Sequence, residues 1–479
     1  MKHTPMLLTG LVVLTLALSL GCTLIDLLAT EEPPVPTKTP LDITSAPEEI
    51  TPSPSPMPMC TPPACTDEEV YYCPGECPGG CGTECATPTP SSTLESTALR
   101  IAYISGGNLW VLEEGGSPQQ LTTTGTDSRP HLSPDGQRIL FERELSPGPG
   151  DVPRFELRVI NVDGSGERLV AGPDDLPGEM GTPVGSETET MLPRLPWQVA
   201  WHPDGQRVAF NTLIQVGYGL YAKHDLWIAD PDTGTVTRLL DDDAGGAFAF
   251  APDGSMVVVA DPTTVARANG DGSDREELIT FDFVNTASEY AYVPQPVWMP
   301  DSSHALIAIS SAEPFGPNPS GNIWRIPRAG DAVQLATLSG RFLFSTMGEN
   351  NLWSPDRSRF AYINVDEDLV LTNGDGSDGT VYASGGIEFV AWSPDSQRFI
   401  YKQGSPWTYY VGEMGADPIA LLSPDLSLQV QSAEWIAPNT FVYSSGTERE
   451  AVDVRLGEVT GSHRVLVTGV QMFDVAGRP

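Results

Sequence analysis

Apolar runs of about four to six residues recur along the chain from residue 98 to its end, each bounded by clusters of Pro, Asp, Gly and Ser. Runs this short between turn signals predict strands, not helices. One unit repeats: a tryptophan or other apolar residue, then Pro-Asp-Gly or a variant, then a strand. The copies are His131-Leu132-Ser133-Pro134-Asp135-Gly136, Trp201-His202-Pro203-Asp204-Gly205, Phe250-Ala251-Pro252-Asp253-Gly254 and Trp298-Met299-Pro300-Asp301-Ser302. They continue at Trp353-Ser354-Pro355-Asp356-Arg357 and Trp392-Ser393-Pro394-Asp395-Ser396, with Trp435-Ile436-Ala437-Pro438-Asn439 as an eroded seventh. The prolines lie roughly 50 residues apart, slightly more than the ~40–45 residues of a four-stranded propeller blade, so insertions are expected.

The turn residues have separate tasks. Proline presets φ at the first corner, aspartate bonds its own backbone two residues on, and glycine relieves a corner with positive φ. Each turn therefore joins two antiparallel strands, the second being Arg138-Ile139-Leu140-Phe141, Arg207-Val208-Ala209-Phe210 or Arg398-Phe399-Ile400-Tyr401. A third strand begins at Asn108, Asp225 or Asn322, and a fourth follows a tight turn such as Asp163-Gly164-Ser165, Asp271-Gly272-Ser273 or Asp375-Gly376-Ser377. Eight of the ten tryptophans (110, 201, 227, 298, 324, 353, 392 and 435) occupy two recurring positions, which assigns them to packing between units.

Four antiparallel strands per unit, repeated around an axis, make an all-β propeller, and the W-S-P-D pattern resembles the TolB-type propeller repeat across residues 98–479. Arg100 to Leu121 supplies only the last three strands of a unit, and Val470 to Val475 supplies one lone strand. Joined, they form one more blade and close the ring. Eight blades are expected, with seven as the alternative should the Pro438 unit not stand alone.

The connections divide unevenly. Long ones fall at 145–155, 211–224 and 312–321, between second and third strands, and at 171–196, 281–296 and 340–350, between units. Strands run alternately up and down, so all six leave the same rim. Long loops on a rigid scaffold are where binding surfaces form. These carry Tyr218, Tyr221, Phe281, Phe283, Tyr290, Tyr292, Phe315, Phe342 and Phe344, ring types suited to recognition hot spots, and they define a candidate binding rim.

The amino-terminal segment is of another kind. Lys2 and His3 precede an apolar run from Met6 to Leu20, too short to cross a bilayer and typical of a signal peptide over residues 1–21. Ser19-Leu20-Gly21-Cys22 resembles the lipobox of bacterial lipoproteins, in which the cysteine is diacylated; the resemblance implies lipidation of Cys22 and a membrane anchor of two acyl chains. The alternative is cleavage near Ala17 and a secreted protein. Residues 22–59 and 86–97 are Pro, Thr and Ser rich, a composition that forms a disordered stalk. Between them, at 60–85, lie Cys60, Cys65, Cys73, Cys77, Cys81 and Cys85. Six cysteines this dense in an exported chain form a disulfide knot with fifteen possible pairings. A zinc-thiolate site is the rival, but paired CxxC is absent and oxidation removes thiolates.

Composition then limits the partners. With 63 acidic and 26 basic residues the formal charge is −37, which repels nucleic-acid backbones and anionic lipid head groups. Many aspartates stand in the short turns, while Asp174, Asp175, Glu179, Glu187, Glu189 and Asp241 to Asp243 cluster in long connections, an acidic patch suited to a basic or cation-bridged partner. Catalytic signals are weak. TolB-type repeats also precede the hydrolase domain of prolyl-oligopeptidase-like peptidases, but G-x-S-x-G is absent. His131, His202, His224, His304 and His463 show no metal-ligand spacing. The Asn269 and Asn373 Asp-Gly-Ser segments resemble calcium loops without the closing glutamate. The sequence therefore reads as an exported, membrane-anchored, monomeric propeller with no cofactor or metal. It binds a protein or an envelope or extracellular polymer at the cell envelope; the alternative is an extracytoplasmic hydrolase or lyase with a propeller active site.

Overall fold

The computed structural model describes residues 99–476 other than 149–151, 289, 343–351, 405–406, 422–428 and 447–451. The signal peptide with Cys22, the linkers, the six cysteines of the knot and Phe344 lie outside the described residues. The described residues contain strands and no helix, and they form an eight-bladed propeller.

Blade 1 is split between the chain ends: Arg100–Ser105, Asn108–Glu113 and Gln119–Gln120 are joined by Met472–Ala476, which pairs antiparallel with Arg100–Ser105. Tyr103 lies opposite Phe473 and Ile101 opposite Val475. The Asp474 carboxylate accepts a hydrogen bond from the Leu132 backbone in blade 2 (2.7 Å), so the closing strand is held from both sides. Blade 2 runs from Asp127–Leu132 to Arg168–Ala171, blade 3 from Leu195–Trp201 to Thr235–Leu240, and blade 4 from Ala247–Phe250 to Glu276–Thr280. Blade 5 spans Val297–Trp298 to Val333–Ser339 and blade 7 spans Ile387–Trp392 to Ile419–Ala420. In blade 6, between them, the second to fourth strands are Arg359–Ile363, Leu369–Asn373 and Thr380–Ala383. There Trp353 bridges to Phe360 on the inner side. The eroded Pro438 unit forms a full fourth-order sheet, blade 8, from Gln429–Ala437 to His463–Val470, and this makes the count eight.

The second strands are buried on both faces, which is why they read as continuous apolar runs. Ile139 and Phe141 pack towards blade 1, while Leu140, between them, packs towards blade 3. Val208 and Phe210 face blade 2, and Ala209 faces blade 4. Among the described residues the apolar core thus lies at the seams, as six clusters at single seams and one that spans both seams of blade 6. At ~25 cal/mol per Å² of apolar surface, these seams supply the main driving force for closing the ring.

Polar bonds fix how the blades register. Trp201, Trp298, Trp392 and Trp435 each donate their indole N–H to a carbonyl in the preceding blade: His131, Ala249, Leu352 and Ala391 respectively. Each acceptor is the residue just before the equivalent marker position of that blade. Trp353 departs from the rule and donates within its own blade, to Gly374.

Candidate functional site

Strand alternation gives the propeller two unlike rims. On one, the Asp side chains close their own turns. Asp135, Asp253, Asp301, Asp356 and Asp395 accept from the backbone N–H two residues on, as do Asp163, Asp271 and Asp375 in the third-to-fourth-strand turns. The Ser255 hydroxyl and N–H hold the Asp253 carboxyl down at about 2. The Asn269 and Asn373 segments belong to this turn set: each asparagine bonds the Ser hydroxyl four residues on, and no group of metal-ligating side chains occurs among the described residues.

The other rim carries the insertions, and two of them are hairpins. The 171–196 connection contains Glu179–Gly181 paired with Thr190–Leu192. In blade 3 the second strand is prolonged to Val216, turns at Gly217-Tyr218, and returns as Gly219–Ala222. Gly217 has φ of 56°, the positive value that the first corner of a two-residue type II′ hairpin requires. The Tyr221 ring lies over Gly219, where an added Cβ would meet it at 2.8 Å. A hydrogen bond from Gly217 N–H to the Thr182 carbonyl (2.9 Å) ties the hairpins together.

A buried ion cluster fastens this promontory to blade 3. Arg194 is 4 % exposed and Asp225 is fully buried. Arg194 Nη1 lies 2.9 Å from Asp225 Oδ2, and Nη2 lies 2.6 Å from Glu179 and 2.8 Å from Asp242. Asp225 also accepts from the Thr212 N–H and hydroxyl and from the Trp227 indole. Lys223 bridges Glu179 and Asp242, and Arg238 also pairs with Asp242. Three cations face three carboxylates, so the desolvation of each is offset locally. Burial pulls the Lys223 pKa down, but its bonds to Glu179 and Asp242 outweigh that and raise it. Burial likewise opposes ionisation of Asp242, and Arg194 and its neighbours reverse the balance, holding it low.

The eight aromatic candidates among the described residues separate into two groups. Tyr218 (89 % exposed), Tyr221, Phe283, Tyr290 and Phe315 stand out from the surface. Tyr292, Phe342 and Phe281 do not belong to an exposed rim. Tyr292 is fully buried; its hydroxyl donates to the Ala308 carbonyl and accepts from Ser310 N–H, which staples the 281–296 connection to blade 5. Phe342 is buried between Phe360 and Tyr362, with its ring over Gly321. Phe281 packs against the seam of blades 4 and 5. These rings are where long connections re-enter the apolar seams. The acidic patch is also smaller than its residue count, because Glu179 and Asp242 are consumed by the ion cluster. Asp174, Asp175, Glu187, Glu189, Asp241 and Asp243 remain exposed.

Other exposed apolar groups on this rim carry no repeat signal. Met180 and Met191 lie directly across from each other on the first hairpin. Trp197 stands at the start of the first strand of blade 3, and Trp407 on the second-to-third-strand connection of blade 7. A cleft of about 510 Å³ opens on the same rim between blades 6 and 7, lined by Arg341, Tyr362, Glu367, Phe389 and Trp407 among others. Ionisable groups of the inner strands are engaged locally: Asp127 with Arg143, Arg129 with Glu142 and Glu388 with Lys402.

No family model and no curated protein matches the chain. Among solved structures, TolB from Acinetobacter baumannii is similar at 13 % identity and a TM-score of 0.35, over 78 % of this chain and 81 % of that one. Porphyromonas gingivalis dipeptidyl peptidase 4 is similar at 10 % identity and 0.49, over 76 % of this chain and 57 % of that one. Oligogalacturonate lyase from Vibrio parahaemolyticus is similar at 12 % identity and 0.38, over 67 % and 94 %.

Proposed function

We propose that this chain is a non-enzymatic binding propeller that engages a protein or an envelope or extracellular polymer through its long-loop rim. It does so after export and attachment to the membrane through a lipidated Cys22. The observation that carries the reading is the placement of Tyr218, Tyr221, Phe283, Tyr290 and Phe315, all exposed on connections that leave one rim of a rigid ring. Large aromatic side chains held out in water are poorly accounted for by packing and well accounted for by a partner that covers them. Local pairing of the inner-strand charges favours binding over catalysis, which needs acids and bases free to reach a common substrate.

Capture from cell envelopes with the full chain tests this. Replacing the five aromatics by serine is expected to abolish recovery of the partner that the unaltered chain retains; equal recovery by both overturns the reading. Export and anchoring are tested by radiolabelled palmitate incorporation, expected in the unaltered chain and lost in Cys22→Ser.

A further inference from the structure

The geometry points to the blade 3 promontory as the docking surface for an extended, cationic protein segment whose lysines or arginines alternate with apolar residues. This rests on the long-loop rim being the working face, and it names the partner's chemistry there.

Three features meet at the promontory. The first is apolar: Met180 and Met191 on one hairpin, and Tyr218, Leu220 and Tyr221 on the other, are all exposed. The hairpins are joined by the Gly217–Thr182 hydrogen bond, and Val216 of the second lies beside Gly181 of the first. The second feature is charge. Between residues 172 and 224 the long-loop side holds only two cations besides His224, Arg194 and Lys223, and both are engaged in the internal ion cluster. Exposed acids lie on the same hairpins. Glu187 and Glu189 sit on the connection of the first hairpin, and Asp243 donates its N–H to the Lys223 carbonyl at the foot of the second. A cationic ligand gains from every one of these, whereas nucleic acid, anionic lipid and a second copy of this acidic chain are repelled.

The third feature is backbone. Gly219–Ala222 pairs only with Leu213–Val216 among the described residues, and its other edge has no strand beside it. Neither proline, bulge nor outward charge guards that edge, which are the usual devices against strand addition. An extended segment can therefore add to it, with backbone bonds setting register and alternate side chains reaching the apolar tips and the acids. The edge is four residues long, so the side chains must supply most of the affinity.

Fluorescence anisotropy with labelled octapeptides against the full chain tests the assignment. An alternating Lys–Val peptide is expected to bind about tenfold or more tightly than its Ser–Val counterpart, with the Glu–Val peptide weakest. Tyr218→Ser with Tyr221→Ser, and separately Glu187→Lys with Glu189→Lys, should each weaken Lys–Val binding about tenfold. Gln206→Ser with Gln397→Ser, exposed on the short-turn rim, should leave it unchanged, and N-methylation of alternate peptide amides should weaken it without any change to the protein. Equal binding of the Lys–Val and Ser–Val peptides overturns the proposal. So does a dimer of the full chain that disappears in the Tyr218 and Tyr221 variant, because the occupant would then be a second copy. The wider reading fails separately, when the five-aromatic variant still captures its envelope partner.

Discussion

On the short-turn rim the aspartate carboxylates bend back to their own turns; on the long-loop rim of blade 3, Asp225 and Asp242 balance a buried arginine. The first arrangement is local and repeats with the blades. The second is assembled from segments far apart in sequence: Glu179 from an insertion, Asp225 from just before the third strand of blade 3 (Leu226–Asp230) and Asp242 from a connection all converge on Arg194. Local carboxylates tolerate loss singly, because each closes one turn. The converging set acts as a unit, since removing the Arg194 guanidinium leaves the buried Asp225 carboxyl without its ion partner.

That difference sets the order of expected effects. Arg194→Ala should cost about 3–5 kcal/mol of stability, read as a lowered midpoint in urea unfolding. Arg194→Lys should restore little, because one ammonium cannot reproduce the guanidinium fork that reaches three carboxylates. A loss below about 1 kcal/mol would mean that the promontory is not anchored as described. The next effect lies at the seams. Trp298→Phe removes the indole N–H and leaves the Ala249 carbonyl without it, for an expected cost of about 1–3 kcal/mol by the same measurement.

Acid titration reads the turn carboxylates. The Asp253 carboxyl is depressed to about 2 in the folded chain, against an ordinary value of roughly 3.9. Its contribution is therefore complete above about pH 4 and is lost as the pH falls through about 2. Asp163, Asp271, Asp301, Asp356 and Asp375 are shifted in the same direction by their turn bonds. Unfolding midpoints should fall steadily across that window, and Asp253→Asn should make the fall shallower. The smallest effect is expected at Ser302. It holds φ of 60° where blades 2, 3 and 4 have glycine, and its hydroxyl accepts from the Asp253 N–H in the preceding blade. Ser302→Gly relieves the corner by roughly 1 kcal/mol and forfeits a bond of similar size, so thermal midpoints should barely move. Ser302→Ala keeps the corner and loses the bond, and should be the less stable of the two.

Ser302 also shows why some of the molecule was legible beforehand. The corner position is set by local backbone geometry, so Pro134, Pro203 and their equivalents announced the turns, and counting them gave eight blades with the ends sharing one. The seam tryptophans were legible for the same reason: one side chain, one repeated environment. The residues that replace the corner glycine were not explained by turn rules. Ser302, Ser396 and Arg357 each reach into the preceding blade, to Asp253, Asp356 and Trp298, and that contact depends on ring closure. Arg194 was invisible because its partners share no spacing. Tyr292 and Phe342 lie in long connections, where a ring looks the same in sequence whether it points out or anchors the connection. The hairpin at 213–222 has no apolar–polar alternation to announce it, and its one local mark is the corner glycine Gly217.

The central claim is that the two rims differ in use as well as in construction. The most direct measurement is photo-crosslinking in intact cells with a benzophenone amino acid placed singly at Tyr218 or Phe315 on the long-loop rim, and at Gln206 or Gln397 on the short-turn rim. Crosslinks to one partner from Tyr218 and Phe315, with none from Gln206 or Gln397, are the predicted result. Crosslinks to a partner from the short-turn positions, with Tyr218 and Phe315 silent, would contradict it.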